Sequence, residues 1–225
     1  MKRTTLQSIV RFLFTSLAQI EFSGVEYVPA QGGIIVTTNH MSQLDTATLF
    51  LNPVRPDITA LITTKYQKYL FQRWFVKTGG GIWIDREKAD FSAFRAAIDV
   101  LKKGQAVGIA PEGTRSETAQ LLEGKPGAVL LAVKAGVPVV PVGIYGSENA
   151  FREIRSLRRP HIHACFGPAY TLPALDRENR DSALQWATDE VMCRIAAVLP
   201  KQYWGFYANH PRLKELLGTG LPQAA

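Results

Sequence analysis

Short apolar runs alternate along the chain with stretches of helical periodicity. Runs rich in β-branched residues and bounded by glycine, proline or asparagine predict buried strands at residues 32–39, 58–64, 81–86, 106–111, 137–145 and 161–167. Apolar positions at helical spacing predict helices at residues 91–104, 128–136, 179–199 and 210–218. Strands that alternate with helices are typical of an α/β fold, here a largely parallel central sheet flanked by helices.

Two of these strands carry a further expectation. The run at 137–145 contains two prolines, which cannot donate a backbone hydrogen bond to a neighbouring strand. We therefore expect that strand not to be paired along its whole length. The run at 161–167 is expected near the edge of the sheet.

The chain begins with an amphipathic pattern at residues 6–20. Its apolar stripe recurs at helical spacing and consists of Leu6, Ile9, Val10, Leu13, Leu17 and Ile20. Arg11 interrupts the run, and a helix of this length reaches roughly 22 Å, short of the ~30 Å hydrocarbon core of a bilayer. We expect an amphipathic N-terminal helix and no transmembrane span. The stripe suits the protein's own core and a membrane surface equally well.

A length of 225 residues favours one domain. We expect a single domain over residues 1–225, with the amphipathic helix at 1–22, an α/β core at 23–170 and C-terminal helices at 171–225. No internal repeat, low-complexity segment or long linker divides the chain.

The net charge of +7 and the pI near 9.5 predict an anionic partner, which by charge alone is nucleic acid, anionic lipid or an acidic small molecule. The basic residues are dispersed apart from one cluster, which consists of Arg152, Arg155, Arg158 and Arg159. No zinc-finger, leucine-zipper or single-stranded-RNA motif is present, so nucleic acid is not expected, and the cluster is interpreted as a solvated charged face. Cys165 and Cys193 have neither metal-ligand spacing nor a disulfide framework, which predicts no metal site and a reducing compartment.

Polar side chains follow the first predicted strand, in the sequence NHMSQLD. Functional groups collect at the carboxyl ends of strands in open α/β sheets, and Asn39 and His40 come just after this one. A turn from strand to helix can bring Asp45 back to the imidazole, where a carboxylate on one ring nitrogen leaves the other free to take a proton. No serine lies in a G-x-S-x-G motif and no cysteine lies near His40 in the chain. The alternative is that His40 is a structural histidine. As a base, it is expected to act on a substrate hydroxyl, without a covalent enzyme intermediate.

A second strand end carries the sequence PEGTRS. Gly113 permits close approach of the backbone to a ligand, Thr114 offers a hydroxyl and an amide, and Arg115 offers a planar fork suited to phosphate. Lys65 and Arg86 also fall at predicted strand ends. Three cations converging on the edge that carries the histidine predict a pocket for an anionic substrate. The alternative is a turn with an outward arginine and separate surface charges.

Four sequence blocks occur in a recognisable order. NHMSQLD matches the block N-H-x-S-x-x-D at Asn39, His40, Ser42 and Asp45. GIWIDR, ending at Arg86, PEGTRS and VPVVPVGIYG follow it at plausible spacing. Over residues 24–170 the sequence thereby resembles the glycerolipid acyltransferases, the family that includes 1-acylglycerol-3-phosphate O-acyltransferase. The resemblance implies a glycerol-3-phosphate acyltransferase-like α/β fold.

The resemblance also implies an activity. A fatty acyl group would pass from acyl-CoA or acyl-carrier protein to the free hydroxyl of 1-acylglycerol 3-phosphate, giving phosphatidic acid, with no cofactor and no metal. His40 would be the general base and Asp45 its partner. The fourth block would line the acyl channel. The partners implied are a lysophospholipid, an acyl thioester and an anionic membrane surface, with the protein peripheral on the cytoplasmic face.

The resemblance assigns the remaining site residues to the acceptor. Arg115, with Arg86 and Lys65, would hold its phosphate. Glu112 would orient Arg115 or the glycerol hydroxyls, beside Gly113 and Thr114 in the same block.

Two departures from the family pattern bear on specificity, and three rivals stay open. Trp83 stands where phenylalanine is commoner, and Ala110 precedes the third block where an aromatic residue is usual; both are expected to alter the shape of the pocket. The rivals are acylation of glycerol 3-phosphate or another lysolipid, thioester hydrolysis, and lipid binding without catalysis. The His40–Asp45 pair speaks against a mere binder, and a phosphate-binding trio speaks against a thioesterase.

Overall fold

The described part of the chain, residues 1–88, 90–176 and 178–220, forms one seven-stranded sheet in this computed structural model. Its strands are β1 (Gln19–Ser23), β2 (Ile34–Thr38), β3 (Thr59–Thr63), β4 (Ile82–Ile84), β5 (Ala106–Ile109), β6 (Val139–Tyr145) and β7 (His161–Phe166). They lie in the spatial order β1-β7-β6-β2-β5-β3-β4. Every neighbouring pair is parallel except β6 and β7. The predicted largely parallel α/β architecture is confirmed.

Helices cover both faces of the sheet. They are α1 (Arg3–Leu17), α2 (Leu44–Phe50), α3 (Leu70–Gly79), α4 (Phe91–Lys102), α5 (Gly127–Ala135), α6 (Ala150–Arg155), α7 (Arg180–Ala197) and α8 (Pro211–Leu217). Ile34 and Val36 of β2 pack on the side of α2, whereas Ile35 packs on α4 and α5. This alternation follows from the period of two along a strand that is buried on both faces.

The predicted strands and the four predicted helices are confirmed to within two residues at each end. The first half of β6 pairs with β2, over residues 139–142, and the second half pairs with β7, over residues 142–145. The expectation drawn from the prolines is therefore confirmed: β6 is not paired on both sides along its length. β7 lies next to the edge strand, as expected.

The N-terminal prediction is partly wrong. The helix begins at Arg3 and ends at Leu17, and residues 19–23, which include the end of the predicted helix at 6–20, form the edge strand β1 against β7. Ile20 and Phe22 alternate with polar neighbours, so the period changes from helix to strand inside the apolar run. Among the described residues, no helix combines the length and apolar character needed to cross a bilayer.

The apolar stripe of α1 divides between two environments. Leu6 is buried and packs with Phe50 and Leu51 of the α2 region. Large side chains on the rest of the helix are exposed, namely Ile9, Phe12, Leu13 and Leu17. Neither interpretation of the stripe is sufficient by itself, because one part of it joins the core and another faces outward.

Candidate active site

The end of β2 is fixed by an asparagine. The side chain of Asn39 donates to the carbonyl of Ile144 over 2.6 Å and accepts from the amide of Ile144 over 2.7 Å. Asn39 is fully buried, so these two bonds satisfy polar atoms that have no access to water. They bind the carboxyl end of β2 to the end of β6 and thereby set the position at which His40 leaves the sheet.

His40 and Asp45 are in contact, as the sequence spacing predicts. Nδ1 of His40 lies 3.1 Å from Oδ2 of Asp45, and the same oxygen accepts the amides of Met41 and Ser42 at 2.7 Å each. The two amides belong to the turn between β2 and α2, and Asp45 is in the first turn of that helix. Because the carboxylate accepts Nδ1–H, Nε2 is the ring nitrogen that can take a proton. Asp45 is 1% exposed and His40 is 16% exposed.

A third residue completes this group. The hydroxyl of Ser147 donates to Oδ1 of Asp45 over 2.5 Å, and Ser147 is completely buried. Ser147 lies between β6 and α6, 102 positions after Asp45. The only sequence signal for it is its place directly after the fourth block, so sequence reasoning missed it.

Glu112 supports the backbone of His40. Its Oε1 accepts the amide of His40 over 2.8 Å, and its Oε2 accepts the amide of Leu122 over 2.9 Å. The amide of Ser116 donates to the carbonyl of His40 over 2.8 Å, so the loop after β5 holds both backbone groups of the histidine. Burial raises the pKa of Glu112 to about 7, against the opposing effect of the two amides. The expected contact with Arg115 is not among its hydrogen bonds in the described residues; both oxygens serve the backbone instead.

Two of the three predicted cations line the same cleft as the histidine. His40, Arg86 and Arg115 line one cleft. Nη1 of Arg86 donates to the carbonyl of Gly113 over 2.9 Å, and Gly113 has a φ of +71°, a conformation that favours glycine. Glycine at this position therefore helps to place Arg86. Both Arg86 and Arg115 are exposed.

Lys65 and Thr114 do not join this cleft. The ammonium of Lys65 pairs with Glu87 over 3.0 Å, and both side chains are largely exposed. Within the described residues, neither Lys65 nor Thr114 lines the cleft. The predicted convergence of three cations is corrected to two, because the short 3₁₀ turn after β3 carries Lys65 toward the loop that follows β4.

The cleft has a volume of about 440 Å³ and a mixed lining. Beside His40 and the two arginines, most of its wall is apolar and comes from α2, α3, β3 and the residue before β3, including Phe50, Ile58, Leu61, Phe71, Phe75 and Val76. Glycine at position 81 allows Val76 to pack closely in this wall, since a Cβ there would lie 2.8 Å from the side chain of Val76. Such a lining suits a ligand with an anionic head and a long apolar chain.

The sequence predictions for the wall are partly wrong. Among the described residues, none from 137 to 146 lines the cleft, so the fourth block does not form the apolar wall. That block supports the site instead, through Ile144, which Asn39 contacts. Ala110 does line the cleft, as expected for a residue that shapes the pocket, whereas Trp83 does not. Helix α3, which supplies much of the wall, was not predicted.

Comparison with known proteins gives the family. The family model described as Acyltransferase matches residues 19–145, more than half of the chain. The chain belongs to this family, and the resemblance drawn from the four blocks is confirmed.

Three relatives and one solved structure illustrate the similarity. Proteins named 1-acyl-sn-glycerol-3-phosphate acyltransferase are 27% identical over 135 residues in Borreliella burgdorferi (59% of this chain, 54% of that protein) and 33% identical over 128 residues in Bacillus subtilis (55% and 61%). One from Saccharomyces cerevisiae is 36% identical over 119 residues (48% and 37%). The alignments thus span less than two thirds of the length of each of these relatives. The crystal structure of the 1-acyl-sn-glycerophosphate acyltransferase from Thermotoga maritima has a TM-score of 0.63 at 25% identity, over 83% of this chain and 76% of that one.

Proposed function

We propose that this chain transfers a fatty acyl group from a thioester to the free hydroxyl of 1-acylglycerol 3-phosphate, giving phosphatidic acid. The observation that carries the proposal is the His40–Asp45 pair in one cleft with two arginines and an apolar wall. The names of the relatives support the same activity.

The geometry suits direct transfer. Nε2 of His40 takes the proton of the acceptor hydroxyl while the hydroxyl oxygen attacks the thioester carbonyl. The tetrahedral intermediate then collapses, the carbon–sulfur bond breaks, and the imidazolium returns the proton to the departing thiolate. Asp45 stabilises the imidazolium between these two steps and holds the ring in one orientation.

The two arginines suit the acceptor's phosphate. A guanidinium presents two parallel N–H groups to a phosphate, and a pair of them offsets much of its negative charge. Arg86 is positioned by the carbonyl of Gly113, and exposed Arg115 can move to meet the ligand. The apolar wall then receives an acyl chain.

Acyl-CoA and acyl-carrier protein are both proposed donors, and no cofactor or metal takes part. The exposed apolar residues of α1 are proposed to hold the protein on an anionic membrane surface, where its lipid substrates reside. The proposed location is the cytoplasmic face.

The test is an assay of purified protein with a panel of acceptors and both donor types, read by mass spectrometry. We expect phosphatidic acid from 1-acylglycerol 3-phosphate, and we expect His40→Ala to lower its formation roughly 10²–10⁴-fold. His161→Ala is the matched control, because His161 is an exposed histidine of β7. Free fatty acid without acylated product would indicate a thioesterase, product only from other acceptors would change the substrate, and no turnover would indicate a binder.

A further inference from the structure

Leu157 occupies an unfavourable position just after α6. It has a φ of +57°, in the left-handed region, and its side chain is 96% exposed. The amide of Arg158 donates to the carbonyl of Glu153 over 2.9 Å and the amide of Leu157 donates to that of Ile154 over 3.0 Å, which together form a Schellman motif. Glycine usually fills the left-handed position of this motif because a Cβ is unfavourable there. A leucine at this position is costly in the isolated protein, both in backbone conformation and in exposed apolar surface.

Basic and apolar side chains surround it. We call this group the α6 patch, and it consists of Phe151, Arg152, Arg155, Leu157 and Arg158, all exposed. Among the ion pairs of the described residues, none involves these three arginines. Exposed apolar groups beside unpaired cations are typical of segments that lie in the interface of an anionic bilayer.

The patch lies beside the mouth of the cleft. β6 runs into α6 at the same edge of the sheet where β2 ends, and Phe151 lines the cleft that contains His40. Nη2 of Arg159 donates to the carbonyls of Thr15, over 2.6 Å, and Ala18, over 3.3 Å. The end of α6 is thereby attached to the end of α1, whose Leu17 is also exposed.

We propose that the α6 patch is a second contact with an anionic bilayer, in which Leu157 enters the acyl region and the three arginines bind lipid phosphates. The inference rests on the proposed function, because it gives the cleft a fixed orientation toward its lipid substrate. It is an alternative to the interpretation of the arginine cluster as a solvated charged face. An acidic carrier protein is the other anionic partner, but the nearly full exposure of Leu157 and the half-exposed Phe151 beside the cleft favour the bilayer.

Leu157→Gly tests the bilayer contact without disturbing the fold. Glycine relieves the left-handed strain, so the melting temperature is expected to stay the same or rise. Affinity for vesicles of phosphatidylcholine with phosphatidylglycerol is expected to fall roughly tenfold, because the buried leucine side chain is lost. Phe91→Ser is the matched control, because Phe91 is an exposed residue of α4, which packs on the other face of the sheet from α2.

The charge variant is Arg152→Gln, Arg155→Gln and Arg158→Gln combined. Its affinity for the anionic vesicles is expected to fall on the order of 100-fold, with little change on vesicles of phosphatidylcholine alone. The matched control combines Lys102→Gln, Lys103→Gln and Lys134→Gln, three exposed lysines at the opposite edge of the sheet. That control is expected to reduce binding by far less than the patch variant.

Turnover distinguishes this inference from the proposed function. Both patch variants are expected to lose about tenfold more turnover on vesicle-borne acceptor than on dispersed short-chain acceptor. The inference would be overturned if both patch variants bound vesicles as tightly as the wild type. It would also be overturned if their turnover fell only in reactions with an acyl-carrier protein donor. Patch-dependent binding in a protein that transfers no acyl group would leave the bilayer contact standing and overturn the proposed function instead.

Discussion

The carboxylate of Asp45 accepts four hydrogen bonds, and only the one from His40 bears directly on the proposed reaction. Two amides of the adjoining turn and the hydroxyl of Ser147 occupy its remaining positions. A buried carboxylate needs such donors because it has lost its hydration. The same donors fix its orientation, so the direction of the imidazole depends on a serine from a different strand end.

Ser147→Ala is expected to lower kcat roughly tenfold, which corresponds to about 1.4 kcal/mol of transition-state stabilisation. Acceptor and donor KM should change little, because Ser147 holds the base through Asp45 and is remote from the substrates' binding groups. Ser147→Thr retains a hydroxyl and should recover part of the loss. Thr188→Ala is the matched control, since Thr188 is buried and its hydroxyl donates to the carbonyl of Leu184 in its own helix. A wild-type kcat in folded Ser147→Ala would show that the contact has no part in the reaction.

Arg115→Ala is expected chiefly to raise the acceptor KM, with a smaller effect on kcat, if the guanidinium binds the phosphate in both ground and transition states. Arg115→Lys should recover only part of the loss, because an ammonium lacks the two-pronged contact. The donor KM should move little. Arg95→Ala is the control, since Arg95 is an exposed arginine of α4. Steady-state kinetics with both substrates varied would reject the assignment if the acceptor KM were unchanged in both Arg115 variants.

Individual elements differ in how far their sequence reveals them. Strands such as β2 are short β-branched runs bounded by glycine or asparagine, and this pattern predicts a strand without an equally good alternative. β1 was missed because Ile20 continues the helical spacing of Leu17 equally well, and only pairing with β7 decides between the two periods. α2 and α6 are too short for a stable periodic signal, and α3 exposes Leu70 and Phe71, which obscures an amphipathic pattern.

The proposed membrane contact of α1 is better tested by substitution than by deletion, because part of the helix belongs to the fold. Arg3 donates to the carbonyl of Gly79 over 2.5 Å and to that of Ile58, and Leu6 is part of the core. Removing the helix would therefore damage the fold beneath the cleft. Phe12→Ser combined with Leu13→Ser changes only exposed side chains and is expected to keep the melting temperature.

This double variant is expected to lower affinity for anionic vesicles by roughly tenfold or more, because two apolar side chains no longer enter the bilayer. Flotation with vesicles measures the change. Phe206→Ser serves as the control, since Phe206 is an exposed aromatic residue of the 3₁₀ turn Gly205–Tyr207, outside α1. Equal flotation of the double variant and the wild type would mean that the exposed stripe of α1 does not bind membranes.

At the scale of the whole molecule, strand order decides which residues meet. The pair His40–Asp45 could be predicted because the two residues are five positions apart in the chain. Ser147 could not, because its contact with Asp45 requires β6 to lie beside β2, a topology that local patterns do not specify. The same limit applies to Lys65 and Arg86, which both follow strands: the chain after each strand determines that one reaches the cleft and the other pairs with Glu87.

At the amino edge of the sheet, a buried arginine stabilises the fold, whereas the candidate active site lies at the carboxyl edge. Arg55 is 2% exposed, and its guanidinium binds both oxygens of Asp57, at 2.9 and 2.7 Å. It also donates to the carbonyls of Pro29 and Gly104, at 3.0 and 2.9 Å. These bonds link the loop before β2, the start of β3 and the turn before β5, all at the edge opposite His40.

Arg55→Met is therefore expected to lower the free energy of unfolding by about 3 kcal/mol, because the Asp57 carboxylate keeps only the amide of Ala106 and two carbonyls lose the buried guanidinium. Below the melting transition, kcat and both KM values should remain near wild type, since the variant alters no residue of the cleft. Denaturant unfolding and kinetics at low temperature measure the two effects separately. Arg95→Met, on the exposed surface of α4, should change neither. A large loss of kcat in folded Arg55→Met would show that the two edges are coupled and that the site depends on packing across the whole sheet.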